Sequence, residues 1–192
     1  ASMQIPEPNS LIVLTMVYFF GMGYALTLAA LQVWKEKRTF QDWLACALFV
    51  LVGFVFAELW MAFGGYFYWW PHLVVTYSPL TLLTGPLTYL YFRRVLDPNW
   101  KLRPRHLLHI SHGIVVLLLF VPFYLQSGEL KTRYIYGPFD EEVLAWKSYM
   151  FLIQQLFWIT IPIYLGWLAY EFWPVWRKPS SGRTARVTLL FV

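Results

Sequence analysis

The sequence holds one cysteine and little charge. A lone Cys46, set among Leu44, Ala45, Ala47 and Leu48, gives no disulfide framework and no thiolate cluster for a metal, and it leaves the redox compartment unread. Charged residues are 13% of the chain against 59% apolar, a balance that excludes an ordinary soluble domain, whose surface needs charge on every side. Motifs of familiar chemistry are missing too: there is no Gly-rich phosphate loop, no pair of catalytic carboxylates, no Ser, His, Asp order and no H-E-x-x-H. No short-period repeat, heptad pattern or low-complexity tract is present. These absences tilt against an enzyme; no catalytic residue, cofactor or metal site is expected.

What is present is a series of long apolar runs. A spanning helix needs roughly 20 mostly apolar residues to cross a hydrocarbon core about 30 Å thick. Five runs qualify, at about residues 11–34, 43–63, 76–96, 106–125 and 143–173, and a sixth starts at 187–192, too short to cross. The expected fold class is all-α: a polytopic transmembrane helix bundle, one sensor-like domain over 1–192 with five complete spans and the start of a sixth, cut short at its C-terminus. The first run is long and lacks a basic leader and a small-residue cleavage site, so it reads as a span rather than a secretory signal. Ala1 and Ser2 read as a cloning scar ahead of Met3.

Lys and Arg are costly to translocate, so their loops mark the cytoplasmic side. Lys35, Lys37 and Arg38 follow the first run, Arg93, Arg94, Lys101, Arg103 and Arg105 the third, and Arg177, Lys178, Arg183 and Arg186 the fifth. The alternate loops hold only Lys131, Arg133 and Lys147, beside Glu7, Glu129, Asp140, Glu141 and Glu142. The N-terminus is therefore expected outside. Trp60, Tyr66, Tyr68, Trp69 and Trp70 would form the outer aromatic belt, and Trp34, Trp43, Trp100, Trp173 and Trp176 the inner one. The stretch Lys178 to Thr184, rich in Ser, Gly and Pro, reads as a short inner loop.

Within the runs, polar residues are the informative ones. Glu58 lies near the outer end of the second run, where an ionisable group is costly unless paired or wet. It reads either as a ligand contact or titrating group on an outer cavity, or as a headgroup-level carboxylate reaching water. Ser78-Pro79 and Gly85-Pro86 must interrupt the third helix, with Thr81, Thr84 and Thr88 placed to satisfy freed carbonyls. Pro79, Gly85 and Pro86 form either a functional hinge or a static kink. The expected ligand set is Glu58, Trp69, His72, Tyr77 and Gln154 around an outer pocket, with His72 at its mouth beside Glu58. Gln154 and Gln155 also read as helix-to-helix hydrogen-bonding glue.

Three further features have readings without a ligand. His106, His109 and His112 are spread over more than a third of a helix circumference with no acid or cysteine nearby, which favours interfacial histidines over zinc. Gly21, Ala25 and Ala29 form a small-residue stripe for close packing, within the bundle or between two chains. The basic stretch from Arg93 to Arg105 follows from the positive-inside rule, with anionic headgroups a better partner than DNA.

One stretch carries a family likeness: Pro71-His72-Leu73, Ser78-Pro79-Leu80, Gly85 to Arg94 (GPLTYLYFRR), Leu96-Asp97-Pro98, Leu102 to His109 (LRPRHLLH), and Val121-Pro122-Phe123-Tyr124-Leu125. It resembles the N-terminal multispan domain of bacterial membrane-bound transcription regulators ending in an AraC-type helix-turn-helix domain. The likeness covers about residues 71–125, and Ile110-Ser111-His112 departs from the apolar residue and proline usual there. It implies about seven spans in the bacterial inner membrane and a cytoplasmic DNA-binding tail missing from this chain, with an N-terminus outside giving the required parity. The implied partners are membrane lipid, an unknown signal ligand, DNA through the missing domain, and a second copy in a homodimer. Two other classes stay open, a small-solute transporter or channel with paired broken helices, and a lipid-modifying membrane enzyme with clustered acids or histidines.

Overall fold

A computed structural model describes residues 8–97 and 99–177. The expected sixth run and the Lys178 to Thr184 loop lie outside the described residues. Within them the chain is all-helical, with seven α-helices: α1 Pro8–Trp34, α2 Phe40–Phe63, α3 Ser78–Thr81, α4 Thr84–Leu96, α5 Leu108–Tyr124, α6 Gly128–Tyr136 and α7 Glu141–Arg177. Single 3₁₀ turns lie at Tyr66–Tyr68, Pro71–Leu73 and Pro104–Leu107.

Three segments are long and apolar enough to cross a membrane: Leu11–Trp34, Phe40–Phe63 and Glu141–Trp173. A fourth is reached if the bent pair Gly113–Tyr124 and Gly128–Tyr136 counts as one span. The expected third span, 76–96, is divided into α3 and α4, and the expected fourth, 106–125, into the turn Pro104–Leu107 and the 17-residue α5. Both are shorter continuous helices than hydropathy alone suggests. The chain is thus a multi-span membrane protein, with three or four candidate spans by length and hydropathy.

Local chemistry sets the helix ends. Thr39 and Asp42 form a reciprocal capping box at the start of α2: the Asp42 N–H donates to Thr39 Oγ1 at 3.4 Å and the Thr39 N–H to Asp42 Oδ2 at 2.8 Å. Lys35 Nζ adds a 2.5 Å pair to Asp42 and ties the α1 end to the same cap. At the other end Gly64 closes α2 through its N–H to the Trp60 carbonyl, and Gly65, at φ 75°, turns the chain into the outer loop. Ser127 caps α6 by accepting from the Leu130 N–H at 3.2 Å, after a 103° bend from α5.

The small-residue stripe packs α1 on α2 within one chain. A Cβ at Gly21 would lie 3.1 Å from the Phe56 ring, and one at Gly53 would lie 3.1 Å from Leu26. Ala25 and Ala29 are buried on the same seam. The alternative of a stripe between two chains is corrected by this placement, since the seam is already filled. The remaining faces of α1 leave Val13, Met16, Phe20 and Tyr24 exposed, as lipid-facing residues are. Helix α7 stays continuous through Pro162; within a bundle a single lost ladder bond is tolerated.

Two cores hold the bundle. The larger one joins Phe67, Val74, Leu82, Val116, Phe120, Phe123, Met150 and Ile153, and a smaller one at the opposite end of the bundle joins Leu44, Tyr89 and Leu90. Gly23 has nothing within 4 Å of a Cβ, so the seam model separates two neighbouring glycines. Gly21→Leu is expected to cost about 1 to 3 kcal/mol through overpacking, while Gly23→Leu leaves stability unchanged. Thermal unfolding of the two purified variants in detergent checks this, and equal melting points would remove the seam assignment.

Candidate functional site

The site grows from the break between α3 and α4. Pro86 has no N–H to offer the Leu82 carbonyl four residues back, its ring crowds that carbonyl, and the helix breaks at Leu82 and Leu83. The backbone tightens there instead, with Leu83 N–H donating to the Leu80 carbonyl at 3.0 Å, and the ladder resumes with Leu87 to Leu83 at 2.9 Å. Pro79 sits harmlessly in the first turn of α3, and Thr81 Oγ1 donates to the Ser78 carbonyl at 2.7 Å. Gly85 serves packing: a Cβ there would lie 2.8 Å from the Tyr164 ring, so α4 meets α7 closely. Of the three expected hinge residues, Pro86 causes the break, Pro79 starts the helix above it and Gly85 lets the lower half dock.

Glu58 spans the gap above the break. It is only 8% exposed, and its carboxylate accepts the Val75 N–H at 2.5 Å and the Tyr77 N–H at 2.9 Å. This excludes the reading of Glu58 as a headgroup-level carboxylate reaching water. The two amides belong to the turn that leads into α3, so a carboxylate on α2 supplies acceptors to loop donors that have no helix of their own to serve them. Val75 itself has φ 63°, a left-handed backbone that a β-branched residue rarely adopts. It is held from both sides, its N–H by Glu58 and its carbonyl by the Tyr124 hydroxyl at 3.2 Å.

Two cavities lie beside this clamp. One of about 210 Å³ is walled by Glu58, Val75, Phe120, Tyr134 and Met150. The other, about 380 Å³, runs deeper along Val52, Phe56, Thr81, Thr84, Trp158 and Ile161. Tyr77, Ser78, Phe120 and Gln154 line both. Ser78 is 7% exposed, and its hydroxyl makes no hydrogen bond. A buried hydroxyl without a partner costs free energy unless a ligand or water meets it, which makes Ser78 the residue that most clearly asks for a guest.

The structure therefore brings Glu58, Tyr77 and Gln154 of the expected ligand set together and leaves two out. Trp69 is 79% exposed and lines neither cavity, as a belt residue would be. His72 turns to Lys131: Nζ lies 2.9 Å from His72 Nδ1 and donates to the Tyr124 carbonyl at 2.7 Å. The expected mouth formed by His72 and Glu58 is thus replaced by a His72 and Lys131 pair that docks α6 on the outer loop. Lys131 is 1% exposed. The glue reading fails for Gln155, whose Nε2 donates to the Phe151 carbonyl of its own helix at 3.2 Å.

Among the described residues, no group of three His, Cys, Asp or Glu side chains is placed to hold a metal. His109 Nδ1 instead lies 2.9 Å from the Tyr164 hydroxyl, and His106 Nδ1 accepts the Arg103 N–H at 2.8 Å; the His112 side chain lies outside the described residues. Sequence reasoning missed Ser78 as a site residue, along with Val75, Tyr124 and Lys131. Only Lys131 carried a signal, as a cation in a segment with few others.

Glu58→Ala leaves two backbone donors buried without an acceptor, at about 1 to 3 kcal/mol each, so a total loss of about 2 to 6 kcal/mol is expected. Tyr124→Phe removes only the neutral bond to the Val75 carbonyl and is expected to cost about 1 kcal/mol. Unfolding in detergent gives the energies, and amide hydrogen exchange at Val75 and Tyr77 gives the location. Unchanged protection of both amides in Glu58→Ala would sink the clamp.

No protein-family model, curated protein or solved structure matches this chain.

Proposed function

We propose that the chain is the signal-sensing membrane domain of a transcription regulator whose DNA-binding part lies outside these residues. The observation that carries the reading is the Ser78 hydroxyl, buried without a partner at the start of α3 and lining two cavities. A guest that hydrogen-bonds Ser78 or Gln154 gains affinity for one packing of α3, α4 and α7 over another. Only such a difference in affinity shifts an equilibrium between packings. The larger cavity is mostly apolar with a few polar groups, Tyr77, Ser78, Thr81 and Gln154, which suits a small amphipathic molecule arriving through the lipid.

The regulator class rests on the family likeness of residues 71–125. In this reading five spans cross the bacterial inner membrane with the N-terminus outside, α3 and α4 forming one broken span and α5 another. The distribution of Lys and Arg supports that orientation. A homodimer would present two DNA-binding tails to paired half-sites. A transporter reading asks for a second broken helix matching the first; α7 is continuous through Pro162, which leaves the bent pair of α5 and α6 as its candidate.

The test is a reporter gene under the promoter that the regulator controls. Ser78→Ala and Gln154→Leu are expected to raise the signal concentration needed for half response by about tenfold, the equivalent of one lost hydrogen bond of about 1.4 kcal/mol. Trp69→Ala is expected to respond as the parent does. An unaltered response in both cavity variants would remove the cavities from sensing. If the reading frame after Val192 encodes a second half echoing the first in place of helix-turn-helix units, the regulator reading gives way to a transporter.

A further inference from the structure

The inner end of the bundle carries a second, larger cleft of about 830 Å³, remote in sequence from the clamp. Its walls are the last turns of α4, the connection from Asp97 to Leu107, the start of α5 and the C-terminal part of α7. Three cations line it, Arg93, Lys101 and Arg103, against two carboxylates, Asp97 and Glu171. Both carboxylates are engaged. Glu171 pairs with Arg93 at 3.2 Å and accepts from Trp167 Nε1 at 3.3 Å and the Tyr89 hydroxyl at 3.4 Å. Asp97 Oδ1 accepts the Asn99 N–H at 3.0 Å.

The cations are less well served. Lys101 and Arg103 make no ion pair among the described residues, and Arg93 Nε is buried without a hydrogen-bond partner. Their supports are fixed all the same. Arg94 Nη1 holds the Trp100 carbonyl at 2.6 Å, and His106 Nδ1 holds the Arg103 N–H at 2.8 Å while its ring lies 4.8 Å from that of Trp100. The connection is thereby folded over the cleft with its cationic side chains on the rim. An exposed ammonium and guanidinium, Lys101 and Arg103, carried without carboxylate partners among the described residues on a connection held in place, fit a phosphate group, which offers several oxygens at once.

The source of that phosphate follows from where the cleft opens. Leu102 and Trp167 are exposed beside the charges, and Trp43 and Trp173 are exposed at the same end of the bundle. Aromatic and apolar groups exposed next to cations belong to the boundary between headgroups and acyl chains, and the basic side of a membrane protein faces the leaflet rich in anionic lipid. We propose that this cleft binds the phosphate headgroup of an anionic phospholipid of the inner leaflet. The proposal does not rest on the sensing role of the outer cavities and holds equally for a regulator or a transporter.

The experiment uses the full chain purified in detergent, with native mass spectrometry to count retained lipid and thermal unfolding as a second reading. Phosphatidylglycerol is expected to be retained and to raise the melting temperature, and phosphatidylcholine is not. The double variant Lys101→Gln, Arg103→Gln is expected to weaken phosphatidylglycerol retention by about tenfold or more, since each charge-assisted bond is worth at least about 1.4 kcal/mol. Lys37→Gln with Arg38→Gln, basic residues outside the cleft, is expected to retain lipid as the parent does. Equal loss in both double variants, or in neither, overturns the site. Stabilisation by inorganic phosphate with none by phosphatidylglycerol overturns the lipid source. Crosslinking of a photoreactive phosphatidylglycerol to residues 97–107 of the unaltered chain supports the proposal without any variant, and crosslinking confined elsewhere overturns it.

Discussion

The two hydrogen bonds from Val75 and Tyr77 to the carboxylate of Glu58 are what the outer half of the molecule is built around. A buried carboxylate on α2 is expensive without donors, and buried backbone amides of a turn are expensive without acceptors; each settles the other. Because the two partners come from different layers, the clamp also fixes how the outer loop lies on the bundle. The left-handed Val75 follows from it, since the chain must turn there to present both amides to one carboxylate, with Tyr124 taking up the carbonyl left behind.

Below the clamp the broken helix gives the bundle its free volume. A continuous helix from Ser78 to Leu96 would carry its side chains past α7 in regular register, whereas the break at Leu82 and Leu83 separates the upper and lower halves. The lower half is drawn against Tyr164 by Gly85, while the upper half is anchored to α2 through Glu58. The cavities lie where these two attachments diverge, and the Ser78 hydroxyl is left facing them.

The inner end obeys a different rule. There the polar groups are not isolated in an apolar bundle but meet in a network of Tyr89, Arg93, Trp167 and Glu171, with His109 bonded to Tyr164 beside it. The networked carboxylate takes one guanidinium and leaves the cations of the Asp97 to Leu107 connection in excess. The two ends of the bundle thus differ: one buries a carboxylate under a loop, the other exposes the cations Lys101 and Arg103.

Taken alone, the sequence determined that the protein is helical and lives in lipid, because span length and charge placement depend on local composition and on the thickness of the bilayer. It also marked Glu58 as costly, the third helix as interrupted and Gly21, Ala25 and Ala29 as a packing seam, each from residue type and spacing. It could not give the partners. Whether Glu58 met water, His72 or a backbone amide, and whether the seam joined α1 to α2 or to another chain, depended on which distant segments came together. Tertiary structure decided those matters. It sent His72 to Lys131, left Trp69 on the surface, carried α7 straight through Pro162 and turned Ser78 inward without a partner. Hydrogen bonds between residues 17 or 59 positions apart leave no trace in local composition, so only the assembled bundle revealed them.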